Sequence, residues 1–344
     1  TFRMLLTDIT GSLKAHGACM YGVAGRVKRS TEFFPAACAI DAACGLDEPY
    51  WSYRVGTAIH ASRELGVGHP LPTLYRCSDL SGCSLLGSLH RKPGLRGDGV
   101  DKLLSKCRFL FMANFPERFA AKVIAELHGV ADDQGRSPFW EGLGRHFFSA
   151  DHTEIERLAG GGSKASIAEL MPAHPIYANL LSPAAQAAIG QVHPDTEPVL
   201  QLLEQEGFRY QGYIDIFDGG PSVEAPLEEI RTIRRAQVVT VFIGKPLPGA
   251  PCLIANTELD EFRCVYAELA IKNGHITLPP ELAKALDVDS GDDDDASETE
   301  ADASETKADL SDTNRVSAGQ SSTDATRSGG AAAGSSNGDT DENN

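Results

Sequence analysis

The stretch "IGQVHPDTEP" holds a histidine, His193, between a valine and a proline, just ahead of a helical pattern. A free imidazole exchanges protons near pH ~6.5, so a histidine held at a helix entry can move a proton at neutral pH. It can also be a packing or helix-end residue, and its surroundings have to decide. Pro194 stiffens the backbone beside it, which helps to hold the ring. A second run, "RGDGVDKLLSK", sets Arg96, Gly97 and Gly99 immediately before an amphipathic helix. Backbone without side chains can bring its N–H groups close to an anion at such a helix start. A glycine-rich turn capped by Asp101 fits the same letters, and the Asp98 and Asp101 carboxylates would repel a phosphate.

Other polar clusters carry weaker signals. His90, Arg91 and Lys92 form a short basic run that either attracts phosphate or ends a strand in solvent. The paired carboxylates of "DDQGR", starting at Asp132, suit a guanidinium, although a solvated loop explains them too. His174 in "AHPIY" repeats a His-Pro pair and reads as structural or pocket-shaping. No Ser-His-Asp order stands out. The eight cysteines form no CxxC pair and several sit in apolar runs such as "AACAIDAAC", which predicts reduced, buried thiols of a cytosolic protein and no metal site.

These groups need a scaffold, and the periodicity supplies one. "ACAIDAAC", "WSYRVGTAIH", "PTLYRCS" and "CSLLGSLH" read as consecutive strands of an antiparallel meander. In "VDKLLSKCRFLFMANFPERFAAKV" the period turns helical: Leu103, Leu104, Cys107, Leu110, Phe111 and Ala113 share a stripe, and Pro116 ends it. "KVIAELHGV" is a buried strand. Ser137-Pro138 and Ser182-Pro183 each start a helix, with serine as the cap and proline in the first turn. Leu200, Leu202 and Leu203 give the helix after His193 an apolar face that Gly207 closes. "YIDIF" alternates as a strand ended by Gly219, Gly220 and Pro221. Short strands and one helix follow in 236–290. Residues 1–35 show no sustained period.

Composition bounds the class. The 344 residues are 42% hydrophobic, enough for a sizeable core, and no apolar run reaches the roughly 18 residues that span a bilayer. Fourteen acidic and three basic residues fall in 291–344, so most of the net charge of -17 belongs to that stretch. Its Ser, Ala, Gly, Asp and Thr cannot bury enough surface to offset ordering entropy, which predicts a disordered acidic tail. The acidity argues against nucleic acid and membrane partners.

Five motifs, "YRVGTAIHASRELGV", "GRSPFWEGLGRHFF", "IAELMPAHPIY", "IGQVHPDTEP" and "GFRYQGYIDIFDGGP", resemble in the same order those of the bacterial arginine N-succinyltransferases. The resemblance runs from about Cys38 to about Asp292, and the chain reads as truncated or diverged at both ends. It implies a mixed α/β fold. A GNAT-like acyltransferase sheet with flanking helices would occupy 37–235. A small β-rich C-terminal module would fill 236–290, followed by the disordered tail of 291–344. Residues 1–36 would be an unmatched, poorly structured segment.

The resemblance also implies a cytoplasmic enzyme of arginine breakdown, with L-arginine and succinyl-CoA as substrates and no metal. In that family the "QVHP" histidine is the catalytic proton donor, which maps to His193. Many GNAT enzymes instead take a tyrosine from the helix before a "GF" pair, and here that position is Leu203, which has no proton to give. Backbone contact to the acyl-CoA maps to Leu89, and the phosphate loop maps to Arg96, Gly97 and Gly99, with Asp101 where the family pattern has a small residue. Two alternatives stay open: an inactive GNAT-like binding or partner subunit, and an acyltransferase for a related amine such as ornithine. Homo- or hetero-oligomerisation is left open as well.

Overall fold

The computed structural model describes residues 2–8, 19–21, 36–64, 66–91, 100–158 and 164–288. In chain order the elements are β1 (Phe2–Asp8), β2 (Cys19–Tyr21), β3 (Ala36–Asp41), β4 (Ser52–Ser62), β5 (Val67–Cys77), β6 (Ser84–Arg91), α1 (Val100–Asn114), β7 (Lys122–Glu126), α2 (Pro138–Gly142), α3 (His152–Leu158) and α4 (Lys164–Leu170). There follow β8 (Ile176–Tyr177), α5 (Pro183–Ala188), α6 (Glu197–Glu206), β9 (Arg209–Ile214), β10 (Pro221–Pro226), α7 (Arg231–Arg235), β11 (Gln237–Ile243), β12 (Pro251–Ala255), β13 (Arg263–Glu268), β14 (His275–Leu278) and α8 (Pro280–Ala285). All fall within one compact unit, Thr1–Asp293.

The expected mixed α/β fold is present, as two sheets with helices around them. One sheet has eight strands in the order β3-β6-β7-β10-β9-β4-β5-β8, and the other has six in the order β14-β11-β1-β12-β13-β2. The strands read as a meander are real, but of them only β4 and β5 pair in sequence order. β3 pairs with β6, while the β4–β5 hairpin joins β9 on the far side of the sheet. Alternation fixes which face of a strand is buried, and long-range packing then chooses the partner: Tyr53 and Leu74 of the hairpin are fully buried with Phe139, Trp140 and Ile214.

The six-stranded sheet is assembled from both ends of the chain. β1 lies between β11 and β12, and β2 pairs with β13. Two strands therefore come from a segment in which periodicity predicted none, and the strands of 236–290 share a sheet with them. The tail from 291 onward lies outside the described residues.

The helix α1 runs between the sheets. Leu103, Cys107 and Leu110 pack on Leu253, Cys264 and Tyr266 of the six-stranded sheet, while Phe109 and Met112 face Val123 and Ala125 of the eight-stranded one. Burial on both sides explains why its apolar residues exceed a single stripe. As a crossover helix, α1 lets β6 and β7 run parallel. The serine caps also stand as expected: the Trp140 N–H donates to Ser137 Oγ (3.3 Å) and the Ala185 N–H to Ser182 Oγ (3.2 Å).

Candidate active site

β7 separates two environments. Val123, Ala125 and Leu127 are buried with Phe109, Leu203 and Phe208 beneath α1 and α6. Successive side chains of an extended chain alternate, so Ile124, Glu126 and His128 belong to the opposite face. The chain stays extended past Glu126, since the Leu127 N–H donates to the Pro221 carbonyl (3.1 Å) and Gly129 pairs antiparallel with Val192.

On its other edge, β7 loses its partner. Among the described residues, β6 and β7 pair at Ser84↔Val123 and Leu85↔Ile124 alone, and β6 then continues to Arg91 beside β3. The register of β3 against β6 shifts between Ala37 and Ala39. Ser88 and Leu89 together stand opposite Cys38, so β6 carries one extra residue there. Such a bulge leaves an unpaired backbone group and re-aims the strand. Leu89 is half-buried.

The edge of β7 that β6 vacates receives His193. The Leu127 N–H faces β10, so the carbonyl of His128, one residue on, faces the opposite edge. It accepts the His193 N–H at 2.8 Å. Val192, paired with Gly129, packs against the core under α1 and α6. His193 stands opposite His128, and directly opposed residues share a face. That face is the one bearing Glu126 and His128.

Local contacts orient the His193 ring. The Asp195 N–H donates to Nδ1 (3.1 Å), which places the ring proton of the neutral imidazole on Nε2. The His193 carbonyl accepts the Thr196 N–H (2.8 Å) and so opens the turn into α6. The ring is half-buried. Leu203 sits in the apolar core, almost fully buried, and offers no group to this face.

The same face carries a network of charges. The Lys164 ammonium, on the first residue of α4, binds Glu126 Oε1 and, at 3.0 Å, Asp215 Oδ2; the Tyr50 hydroxyl donates to Glu126 Oε2. Burial and then the Asp215 charge push the Glu126 carboxyl above its ordinary value, against the pull of Lys164. Burial also raises Asp215, but Lys164 and the N–H groups of Phe217 and Asp218 outweigh it and hold that carboxyl low. Desolvation works against the Lys164 charge, yet Asp215 and Glu126 keep its pKa well above the usual lysine value.

Asp218 continues the network towards His193. Its carboxylate accepts the N–H groups of Gly129 and Gly220, both at 2.7 Å. Burial and the neighbouring Asp215 push it up to about 8. A Cβ on Gly129 would come within 2.6 Å of the Asp218 carbonyl oxygen, so this close approach requires glycine. Gly219, with φ at 72°, makes the turn that ends at Pro221, which begins β10 and does not terminate a strand. The exposed His128 ring lies 3.7 Å from Glu156 and 3.9 Å from Asp218.

The structure thus brings together His193 and the peeled edge of the parallel pair, with Leu89 on the strand that leaves it. Arg96, Gly97 and Gly99 lie outside the described residues, in the connection that enters α1. Asp132 is occupied by its own loop: its oxygens accept from the N–H groups of Gln134 and Arg136 and from the Arg136 guanidinium. His174 is exposed. Among the described residues no cluster of three His, Cys, Asp or Glu side chains could hold a metal, no helix is long and apolar enough to cross a membrane, and seven cysteines are free thiols. Sequence reasoning missed Glu126, Lys164 and Asp215. They lie far apart along the chain, and "GGSKASIAEL" reads as an ordinary helix start.

Comparison with known proteins adds the following. The family model for the arginine N-succinyltransferase beta subunit matches residues 30–232, and that for its C-terminal domain matches 234–293. An arginine N-succinyltransferase of Enterobacter sp. (strain 638) is 49% identical over 257 residues, covering 74% of this chain and 75% of the relative. One from Salmonella paratyphi B is 48% identical over the same length. The solved structure of arginine/ornithine succinyltransferase subunit AI from Pseudomonas aeruginosa superposes with a TM-score of 0.68 at 41% identity, over 74% of each chain.

Proposed function

The chain belongs to the arginine N-succinyltransferase beta-subunit family, and from that premise we propose that it moves the succinyl group of succinyl-CoA to the α-amino group of L-arginine. The observation that carries the reading is the vacated edge of β7, with His193 seated on it and a bulge at Leu89 on the departing β6. A gap between two parallel strands offers unpaired backbone N–H and C=O groups to an extended, amide-bearing ligand such as the pantetheine arm. This is the arrangement of GNAT acyltransferases, to which we assign the fold.

The reaction needs three things: a neutral amine, a polarised thioester carbonyl and a proton for the departing sulfur. The arginine ammonium first loses a proton to solvent. Its nitrogen lone pair then attacks the thioester carbon, forming the C–N bond, and the carbonyl oxygen takes on negative charge. Backbone N–H groups freed by the bulge around Leu89 stabilise that oxygen. As the oxyanion collapses, the C–S bond breaks and the nitrogen sheds its second proton. His193 Nε2–H gives its proton to the departing sulfur in the same step in which the ring takes up the proton shed by the nitrogen, so that no imidazolate is left and the ring ends neutral. Arg96, Gly97 and Gly99, which precede α1 in the sequence, hold the CoA diphosphate. The products are N-succinylarginine and free CoA, in a cytoplasmic enzyme of arginine catabolism.

Free-thiol release with L-arginine and succinyl-CoA, with product mass as the second readout, tests this. A succinylated arginine at the α-nitrogen is expected. No release with arginine, or release with ornithine alone, would remove the assignment.

A further inference from the structure

Lys164, the partner of Glu126 on β7, lines a cleft of about 170 Å³ together with Glu48, Tyr50 and Trp51. We propose that this cleft holds the acceptor amino acid, the Lys164 ammonium taking its carboxylate and the Glu48 carboxylate its distal cation. The inference rests on the transferase reading above and assigns its acceptor subsite.

Lys164 has three N–H donors, of which Glu126 and Asp215 engage two. Its side chain is still 32% exposed, so a donor remains reachable from the cleft. Glu48 is exposed, and among the described residues no hydrogen bond or ion pair engages its carboxylate. A cleft with an available cation and an available anion on its walls matches a zwitterion with a charged side chain. The balance of charge then favours the amino acid over the acyl group. Glu48, Glu126 and Asp215 outnumber Lys164 and Arg76, whose guanidinium lies 4.6 Å from the Trp51 ring centroid, so a ligand with net positive charge gains and a succinyl carboxylate does not.

The position fits the chemistry. Glu126 and His128 are two residues apart on one face, roughly 6.5 Å along the strand, and His193 stands beside His128. An acceptor held by Lys164, the partner of Glu126, would therefore lie on the side of β7 that also carries His193.

Steady-state kinetics on the full chain tests the assignment with arginine, citrulline (a neutral isostere of the side chain) and agmatine (lacking the carboxylate). Glu48→Gln, an exposed change that leaves folding intact, is expected to raise KM for arginine roughly tenfold to a hundredfold, as for one charge-assisted hydrogen bond. KM for citrulline and for succinyl-CoA should stay unchanged. The double variant Lys164→Met/Glu126→Gln removes the ammonium together with one of its carboxylates, so the cluster keeps its net charge. It should lose the preference for arginine over agmatine. An unchanged KM for arginine in Glu48→Gln overturns the inference, as does a rise confined to succinyl-CoA in the double variant. Absence of transfer by the wild type would remove the transferase reading instead. Calorimetry of arginine binding then still decides the cleft, and equal affinity in wild type and Glu48→Gln overturns it.

Discussion

Two lysines with carboxylate partners stand on opposite faces of β7, and they are built differently. Lys106, on α1, pairs with Glu206 at the end of α6; both side chains are sealed, at 5% and 0% exposure, and the second Glu206 oxygen accepts the Thr232 N–H at 2.8 Å. Lys164 also has carboxylate partners, but it lines an open cleft together with Glu48, Tyr50 and Trp51. A sealed pair exposes no donor to a ligand, so its consequence is to lock α1, α6 and α7 together. An open one keeps a charge in place while leaving part of it accessible. Burial of a charge is therefore no sign of function by itself, and solvent access at a fixed charge is the more informative mark.

The contrast can be broken at the sealed side first. Lys106→Met leaves Glu206 buried without its cation, and a loss of roughly 3–5 kcal/mol in unfolding free energy is expected from urea titration. KM for both substrates should hold in the molecules that remain folded. A variant that is as stable as the wild type but binds substrate poorly would place Lys106 with Lys164 and erase the distinction.

The open side should instead show a pH signature, through Asp218. Its folded pKa of about 8 lies above the ~3.9 of an unfolded aspartate. The folded state then binds the extra proton, so this contribution to stability is fully present below pH ~4 and is lost as pH rises through about 8. Denaturation across that window should show stability falling with pH. Asp218→Asn should flatten the slope, at a lower baseline because its amide cannot accept both glycine N–H groups. An identical slope in the two proteins would dismiss Asp218 as its source. The smallest effect belongs far from either lysine: Ser182→Ala, which removes the α5 cap, should cost about 1 kcal/mol and leave turnover unchanged.

How much of this was legible beforehand follows the same divide. Local signals held where the physics is local: the Ser137 and Ser182 caps, the Gly207 helix end with φ at 108°, and the helix over 100–114. His193 was legible through its motif, although its seat on the edge of β7 was not, since that depends on Gly129, far earlier in the chain. Of the expected meander the β4–β5 hairpin alone was legible, because β3 pairs with β6 and β4 with β9 through packing between distant stretches of chain. β1 carried no periodic signal, and its neighbours β11 and β12 lie near the other end of the fold's sequence. The Lys164 network was invisible for the same reason: Tyr50, Glu126, Lys164 and Asp215 come from four separate stretches of chain and have no spacing to recognise.

The central claim is that His193 delivers the proton to the departing thiol, and the direct test is the rate of CoA release by His193→Ala beside the wild type. The account predicts a fall in kcat of roughly 10²–10⁴-fold, the range for one general acid, with the affinity for CoA and the melting temperature unchanged. Equal rates in a folded variant would contradict it and leave His193 as the residue that opens the turn into α6.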